Sequence, residues 1–377
     1  MTKDAIVSEG LASKFATEKD TPYTRWVRDE GLEIISGHYV PNLHTVELKP
    51  WARRGGSGVF INHDASRTSN DCYVCEIPAG GELAPQRQLY EEMILVLDGQ
   101  GSTTVWNDAG KRVSFEWGPG AIFAIPLNAW HQHFNGSGSR PVRFVAVTNL
   151  PPVLNLYGDV DFIFNTPRDF PERFNGEPDY FSPEGEQQGL LLKTNFVADA
   201  VSLPLLAAKE RGAGGGHIRF AMANGSMNSH ISQFPPATYK KAHRHGPGAH
   251  VIILSGEGYS LMWPEGEEPK RYDWQVGSMI VPPNMWFHQH FNTGATPARY
   301  LAFKHEVVSV RNAQGVPKAW ISQRIGGDQI DYADEPQLVR DLFAEALAER
   351  GLKPAMDGAY EAELADLPTK PAESAGG

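Results

Sequence analysis

The chain has 377 residues, 41% hydrophobic and 10% aromatic, and its 34 basic and 45 acidic residues give a net charge of −11. That apolar fraction suffices for a large core, and the excess of acid excludes non-specific nucleic-acid binding, which needs clustered Lys and Arg against phosphates. No stretch reaches the roughly 18–20 apolar residues of a membrane helix, and the only cysteines, Cys72 and Cys75, cannot staple a chain of this size. We therefore expect no membrane partner, no disulfide framework and a cytoplasmic location.

In chain order, residues 1–41 read as an N-terminal extension; Met1–Asp20 mixes small and charged residues without the apolar stretch of a signal peptide. From residue 42, short apolar runs alternate with Gly, Pro and Asn turn signals: Met93–Leu97, Ala121–Ile125 and Val142–Val147. Such closely punctuated runs predict an all-β sandwich or barrel. Cys72 and Cys75 lie three apart in an apparent strand and face opposite ways, so they read as structural. Residues 151–198, rich in Pro, Asn and Gly, form an expected connector packing across both flanking units. Gly212–Gly216 precedes a strand and lacks a following Lys-Ser/Thr, which makes it a loop and no phosphate cradle. Strands return at Val251–Leu254 and Tyr300–Phe303. Beyond residue 307 the spacing predicts a helix over Gln337–Arg350. Asp334 is its expected N-cap, Pro336 lies in its first turn, Leu338, Leu342 and Leu347 share a face, and Gly351 stops it. Residues 328–377 contain 12 acidic and 4 basic residues, so −8 of the net charge belongs to this segment.

Two segments nearly copy each other: Trp130-His131-Gln132-His133-Phe134-Asn135 and Phe287-His288-Gln289-His290-Phe291-Asn292. Their offset of 157 also relates Pro78 to Pro235, Gly99 to Gly256, Gly101 to Gly258, Trp106 to Trp263, Trp117 to Trp274, Gly120 to Gly277 and Pro126 to Pro283. The chain is a tandem duplication, with units at 42–150 and 199–307.

In the second unit, His243 and His245 stand two apart, a spacing that puts both imidazoles on one face of a strand. His288, from a neighbouring strand, supplies a third nitrogen. Imidazole suits Fe, Zn, Cu and Ni, and three neutral ligands leave a divalent ion with open positions, as in a catalytic site. On simple alternation Ala249 faces inward with this pair and His250 outward; His250 becomes a ligand only if the Gly246-Pro247-Gly248 turn shifts the register. Trp286, Gln289, Val251 and His250 are the candidate substrate-pocket residues, with Phe287 beside them. The first unit carries Gln86 and Gln88 where the second has His243 and His245, alongside Glu92, His131 and His133. Two readings stay open there: a degenerate barrel kept for packing and dimerisation, or a weaker second site.

The pattern Gly-x5-Pro-x4-His-x3-Asn, met by Gly120, Pro126, His131 and Asn135 and again by Gly277, Pro283, His288 and Asn292, resembles the cupin family. The resemblance implies two tandem cupin barrels, of the double-stranded β-helix or jelly-roll kind, with short flanking helices. Ala-His-Arg-His-x3-Ala-x6-Gly over 242–256, with Gly-x5-Pro-x4-His-x-His-x-Asn over 277–292, resembles gentisate 1,2-dioxygenase and its salicylate and hydroxynaphthoate relatives. This implies Fe(II) held by His243, His245 and His288, with His290 contacting a substrate hydroxyl or bound oxygen, and a small hydroxylated aromatic compound and O₂ as partners. The Arg that anchors a substrate carboxylate in those enzymes is Val251 here; Lys240, Lys241 and Arg244 are the cations nearest in sequence, with their direction open. Two rivals remain: a Mn, Ni or Zn cupin that decarboxylates, isomerises or hydrolyses without O₂, and a non-catalytic small-molecule-binding bicupin. A homo-oligomer is expected by the same analogy.

Overall fold

Each duplicated unit closes a large sheet against a small three-stranded one. In a computed structural model describing residues 20–63, 69–208, 212–246, 248–305 and 311–369, the first large sheet runs in the order 34–35, 56–61, 71–77, 142–148, 92–98, 122–125, 196–197. Its small sheet is Trp130–Asn135, Gly101–Trp106, Arg112–Trp117. The second unit repeats this with 216–221, 227–234, 298–305, 250–255, 279–280 and 39–40 opposite Lys270–Trp274, Gly258–Trp263 and Phe287–Asn292. The fold is all-β, with two tandem barrels of the double-stranded β-helix kind and short helices at the flanks.

Strand alternation decides where the cores lie. Along Glu92–Asp98, Ile94 and Val96 fill the first barrel, while Met93, Leu95 and Leu97 face the second barrel. Along His250–Ser255, Val251 and Ile253 fill the second barrel, whereas Ile252 and Leu254 face the first. The two large sheets therefore pack on each other through one shared core that also holds Val59, Ile61, Val74, Val145, Ile231, Leu301 and Phe303. Each such side chain contributes about 1.5–3 kcal/mol on burial. Cys72 joins this shared core and Cys75 the interior of the first barrel; both are free and buried, on opposite faces of Asp71–Ile77 as expected.

The duplication extends further than its motifs. Strand Tyr39–Val40, within the segment read as an N-terminal extension, pairs with Met279–Ile280 of the second barrel. Strand Phe196–Val197, in the connector, pairs with Ile122–Phe123 of the first. Tyr39 and Phe196 are 157 residues apart, as are their partners Phe123 and Ile280. The hydrogen bonds that follow repeat as well: Leu43 N–H to Gly277 O at 2.8 Å and Ala200 N–H to Gly120 O at 2.8 Å. Each unit thus opens with a strand that closes the other barrel.

The turn glycines have a steric reason. A Cβ on Gly101 would sit 2.3 Å from Phe134 O, and one on Gly258 would sit 1.9 Å from Phe291 O, with the Trp117 and Trp274 rings also in the way. Asn135 and Asn292 tie down equivalent loops, donating through Nδ2 to Pro78 O and Pro235 O at 3.0 and 2.9 Å.

The C-terminal helix runs over Gln337–Ala348 and packs on the outside of the second barrel, with Val339, Phe343, Ala346 and Leu347 buried against Tyr239, Tyr259 and Phe291. Its details differ from expectation. Pro336 is the cap, because Glu335 and Pro336 are extended, and Asp334 instead accepts from the Arg324 guanidinium at 2.6 and 2.9 Å. Leu338 is exposed, since the buried stripe runs one residue later, through Val339 and Phe343.

Candidate metal centre

The three histidines converge from two chain segments. His243 and His288 exchange backbone hydrogen bonds, His243 N–H to His288 O at 3.1 Å and His288 N–H to His243 O at 2.9 Å. His243 is not in a continuous strand: it makes isolated bridges to His288 on one side and Gln329 on the other. Residues 328–330 thereby brace it, with Ile330 N–H to Ala242 O at 2.8 Å and Arg244 N–H to Asp328 O at 3.0 Å. His245 is held by Met285 N–H donating to its carbonyl at 3.0 Å.

Among the described residues, the ligand atoms of His243, His245 and His288 lie within 4.8 Å of one another. Their ring centroids are 4.3, 4.7 and 5.7 Å apart. Each Nδ1 sits against a backbone carbonyl: His243 against Lys241 O at 3.2 Å, His245 against Gly246 O at 2.9 Å and His288 against Trp286 O at 3.2 Å. A carbonyl only accepts, so each ring carries its proton on Nδ1 and offers the Nε2 lone pair. Outer hydrogen bonds of this kind orient imidazoles for a metal. Metal–imidazole bonds are about 2.0–2.1 Å, so small rotations suffice to bring all three onto one ion. The donor set fits a divalent transition metal.

The remaining expected site residues divide. His290 shares the inner face with His288, their rings 5.8 Å apart; its Nδ1 meets Ser260 Oγ at 2.7 Å, and Trp274 Nε1 donates to the same oxygen at 3.1 Å. His133, Thr103 and Trp117 repeat this network in the first barrel, at 2.8 Å for both contacts. Val251 faces inward, in one cluster with Ala249, Ile253, Met262 and Tyr300, and Trp286 packs against that cluster. Gln289 does not join the triad: between two inward histidines it must point outward, where Nε2 donates to Glu335 at 3.3 Å. Phe287 also faces outward, against Trp263 and under the Arg244 guanidinium. His250 turns to the junction between the barrels, with Nδ1 3.4 Å from Asn70 Nδ2. Burial and the nearby His63 push its pKa down to about 3. Ala249 packs in the inward cluster with Val251 and Ile253 and so occupies the position that His250 would need (Pro247 lies outside the described residues).

Sequence reasoning left one inward cation undecided. Lys240 is buried, and its ammonium donates to Ser232 Oγ at 2.7 Å and Tyr300 Oη at 3.3 Å. Its neighbours Tyr239 and Lys241 point the other way, to Glu335 and to Asp331 and Glu363. His217 and His230 stand on the same inner face, His217 Nδ1 3.3 Å from Ser232 Oγ and the His230 ring 6.0 Å from that of Tyr300. The signal was available in the period-2 alternation of Met227–Phe234, where His230 and Ser232 fall on one face.

The first barrel is closed at the equivalent place. Gln86 Nε2 donates to Gln88 Oε1 at 2.8 Å, Gln88 Nε2 to Glu92 Oε2 at 3.3 Å, and Tyr73 Oη to the other Glu92 oxygen. His131 Nε2 stands 3.9 Å from Glu92, and burial pushes the His131 pKa down to about 3. A small cavity nearby, lined by Trp51, Arg54, Asp71, Tyr73 and Tyr90, measures about 10 Å³, room for about one water.

A comparison with family models finds one match, in the first barrel. Residues 73–148 match the family model described as "Cupin domain". No curated protein matches the chain. Similar solved structures include variants of oxalate decarboxylase from Bacillus subtilis. A tryptophan-to-tyrosine variant is 12% identical, with 72% of this chain and 78% of that chain covered at a TM-score of 0.47. A two-residue deletion variant is 12% identical, covering 72% and 77% at 0.46. The stretch that matches the cupin-domain model, residues 73–148, lies in the first barrel, and 157 residues on stands a second barrel of the same construction.

Proposed function

We propose that the chain is a metal-dependent enzyme whose centre is His243, His245 and His288, and that it is a non-haem Fe(II) dioxygenase acting on a small hydroxylated aromatic compound. The convergence of three Nε2 lone pairs inside one barrel carries this reading. Three neutral ligands leave the full dipositive charge to be met by substrate oxygens, and Ala249, where a carboxylate side chain could otherwise reach in, keeps the set neutral. A bound ferrous ion would supply the redox chemistry that O₂ needs to react with a ring.

The protein's own groups prepare that site. Carbonyls of Lys241, Gly246 and Trp286 hold the three rings in one tautomer. Ser260, accepting from Trp274, can give its proton to His290 Nδ1, which favours a proton on His290 Nε2 for donation to a substrate oxygen. Ala249, Val251, Ile253 and Met262 make the adjoining wall apolar and exclude water.

The test is metal content and oxygen uptake. The purified chain is expected to hold about one iron, and to consume O₂ with a member of a catechol, hydroquinone and 2,5-dihydroxybenzoate panel. His288→Ala should lose the metal. A protein holding manganese or zinc, with no O₂ consumed across the panel, overturns the dioxygenase reading; undiminished iron in the His288→Ala variant overturns the site.

A further inference from the structure

The duplication sets a covered sheet beside an open one. In the second barrel the outer face of the small sheet carries Tyr259, Leu261 and Trp263 on one strand and Phe287, Gln289 and Phe291 on the next, and all six are buried. Val339 and Phe343 of the helix Gln337–Ala348 pack in the same cluster as the apolar members of that face. Residues 157 positions earlier form the same face of the first barrel: Ser102, Thr104 and Trp106, then Trp130, Gln132 and Phe134. These are only half-buried, and Arg112, Ser114 and Glu116 on the third strand are exposed. The open face is more than a solvated one. The Trp106 and Trp130 rings stack at 6.1 Å with 8° between their planes. The Arg112 guanidinium lies 4.9 Å from the Trp106 ring and that of Arg87 5.3 Å from the Trp130 ring. Trp and Arg are the residues that most often dominate protein–protein contacts. Among the described residues, neither Arg112 nor Glu116 makes an ion pair within the chain.

We propose that this face of the first barrel joins two copies of the chain about a two-fold axis. The cross-strand registers define three rows: Trp130–Trp106–Arg112, Gln132–Thr104–Ser114 and Phe134–Ser102–Glu116. An axis lying in the face along the middle row preserves position across the sheet and reverses position along the strands. The first row of one copy then meets the third row of the other. Arg112 faces the partner's Glu116, and the same pair recurs on the other side of the axis. Trp106 faces the partner's Ser102, so a large ring meets a small side chain, and Trp130 faces the partner's Phe134, an aromatic pair. On the axis itself Thr104 and Ser114 are small, and their hydroxyls already bond each other at 2.8 Å. No charge is brought against its like. An isologous contact requires this self-complementarity, and the strands of the two sheets run aligned, as in a sandwich. The equivalent face of the second barrel is closed to such a contact, because the chain's own C-terminal helix covers it.

Sedimentation velocity of the full chain tests the pairing by charge exchange. The wild type is expected to sediment as a dimer. Arg112→Glu and Glu116→Arg each set like charges opposite one another on both sides of the axis, and each should weaken dimerisation at least about tenfold. The double variant, Arg112→Glu with Glu116→Arg, restores both pairs in the reverse sense, and its dimerisation constant should return to within about threefold of the wild type. Thr104→Lys sets an ammonium against its own copy and should leave monomers. Unchanged urea midpoints show that each variant is folded, and Thr104→Lys serves if a charge reversal does not fold. A monomeric wild type overturns the proposal and leaves the face to a different protein. A dimer that neither the reversals nor Thr104→Lys weaken overturns it too, placing the contact elsewhere on the chain, as does a double variant no stronger than the single ones.

Discussion

At the scale of single residues, burial on one side of a strand or the other separates histidines that look alike in sequence. His243, His245 and His288 bring their ligand atoms within 4.8 Å of one another. His250, five residues after His245, is a core histidine held neutral between the barrels. Burial lowers the pKa values of His63, His131 and His250 from 6.5 to about 3. The sign follows from linkage: the unfolded chain binds protons at these positions below about pH 6.5 and the folded chain does not, so stability is lost as pH falls from 6.5 towards 3. Asp71 acts oppositely, since burial raises its pKa to about 7 and its contribution fades as pH rises from 3.8 to 7. The histidines outnumber it. Replacing His250 with Gln should therefore reduce the loss of stability between pH 7 and pH 5, measured by urea unfolding at both values; an equal loss in variant and wild type contradicts the assignment.

At the scale of elements, the small sheet of the second barrel is pressed between the site and the C-terminal segment. Strand Phe287–Asn292 sends His288 and His290 inward and Phe287, Gln289 and Phe291 outward, where Phe343 and Tyr332 cover them. Gln329 and Ile330 add a partial edge to the chain that carries His243. The acidic tail is thus a brace with much of its charge used: Asp331 and Glu363 pair with Lys241, and Glu335 with Arg340. Phe343→Ala removes a fully buried ring from this interface and should cost about 3–5 kcal/mol, read as a lowered urea midpoint. Because the brace sets the position of His243, metal affinity should fall in the same variant. Unchanged affinity at reduced stability would confine the segment to packing.

At the scale of the molecule, two barrels share one apolar core and exchange strands. Glu91 adds a polar latch: its carboxylate accepts from Ser226 N–H and Met227 N–H at 2.8 and 2.9 Å and pairs with Arg173 at 3.3 Å. Residues 42–150 expressed alone lack strand Phe196–Val197 and expose Met93, Leu95, Val145 and Val147 to water. That fragment should aggregate or remain without fixed tertiary structure, whereas adding residues 151–205 restores the closing strand but not the cover for the shared face. Near-ultraviolet dichroism and gel filtration distinguish these states; a monomeric, cooperatively folded 42–150 fragment would show the exchange to be dispensable.

Much of this was legible in the sequence by itself. The offset of 157, the turn glycines and the alternating apolar runs determine two barrels of one kind, because short-range sterics and period-2 alternation are local properties. The spacing of His243, His245 and His288 is equally local to its two segments, and the outward direction of His250 follows from alternation between Ala249 and Val251. Other features were decided only by tertiary structure. The exchanged strands Tyr39–Val40 and Phe196–Val197 are two residues long, too short for any periodicity, and their partners lie far along the chain. The direction of Lys240 was open because residues 238–245 form isolated bridges rather than a regular strand, so no alternation rule reaches it. Gln289 was misread because adjacency to His288 in sequence places it on the opposite face. Long-range pairing, set by the packing of two sheets rather than by local preference, turned a lysine inward, whereas the outward turn of Gln289 follows from alternation along its own strand.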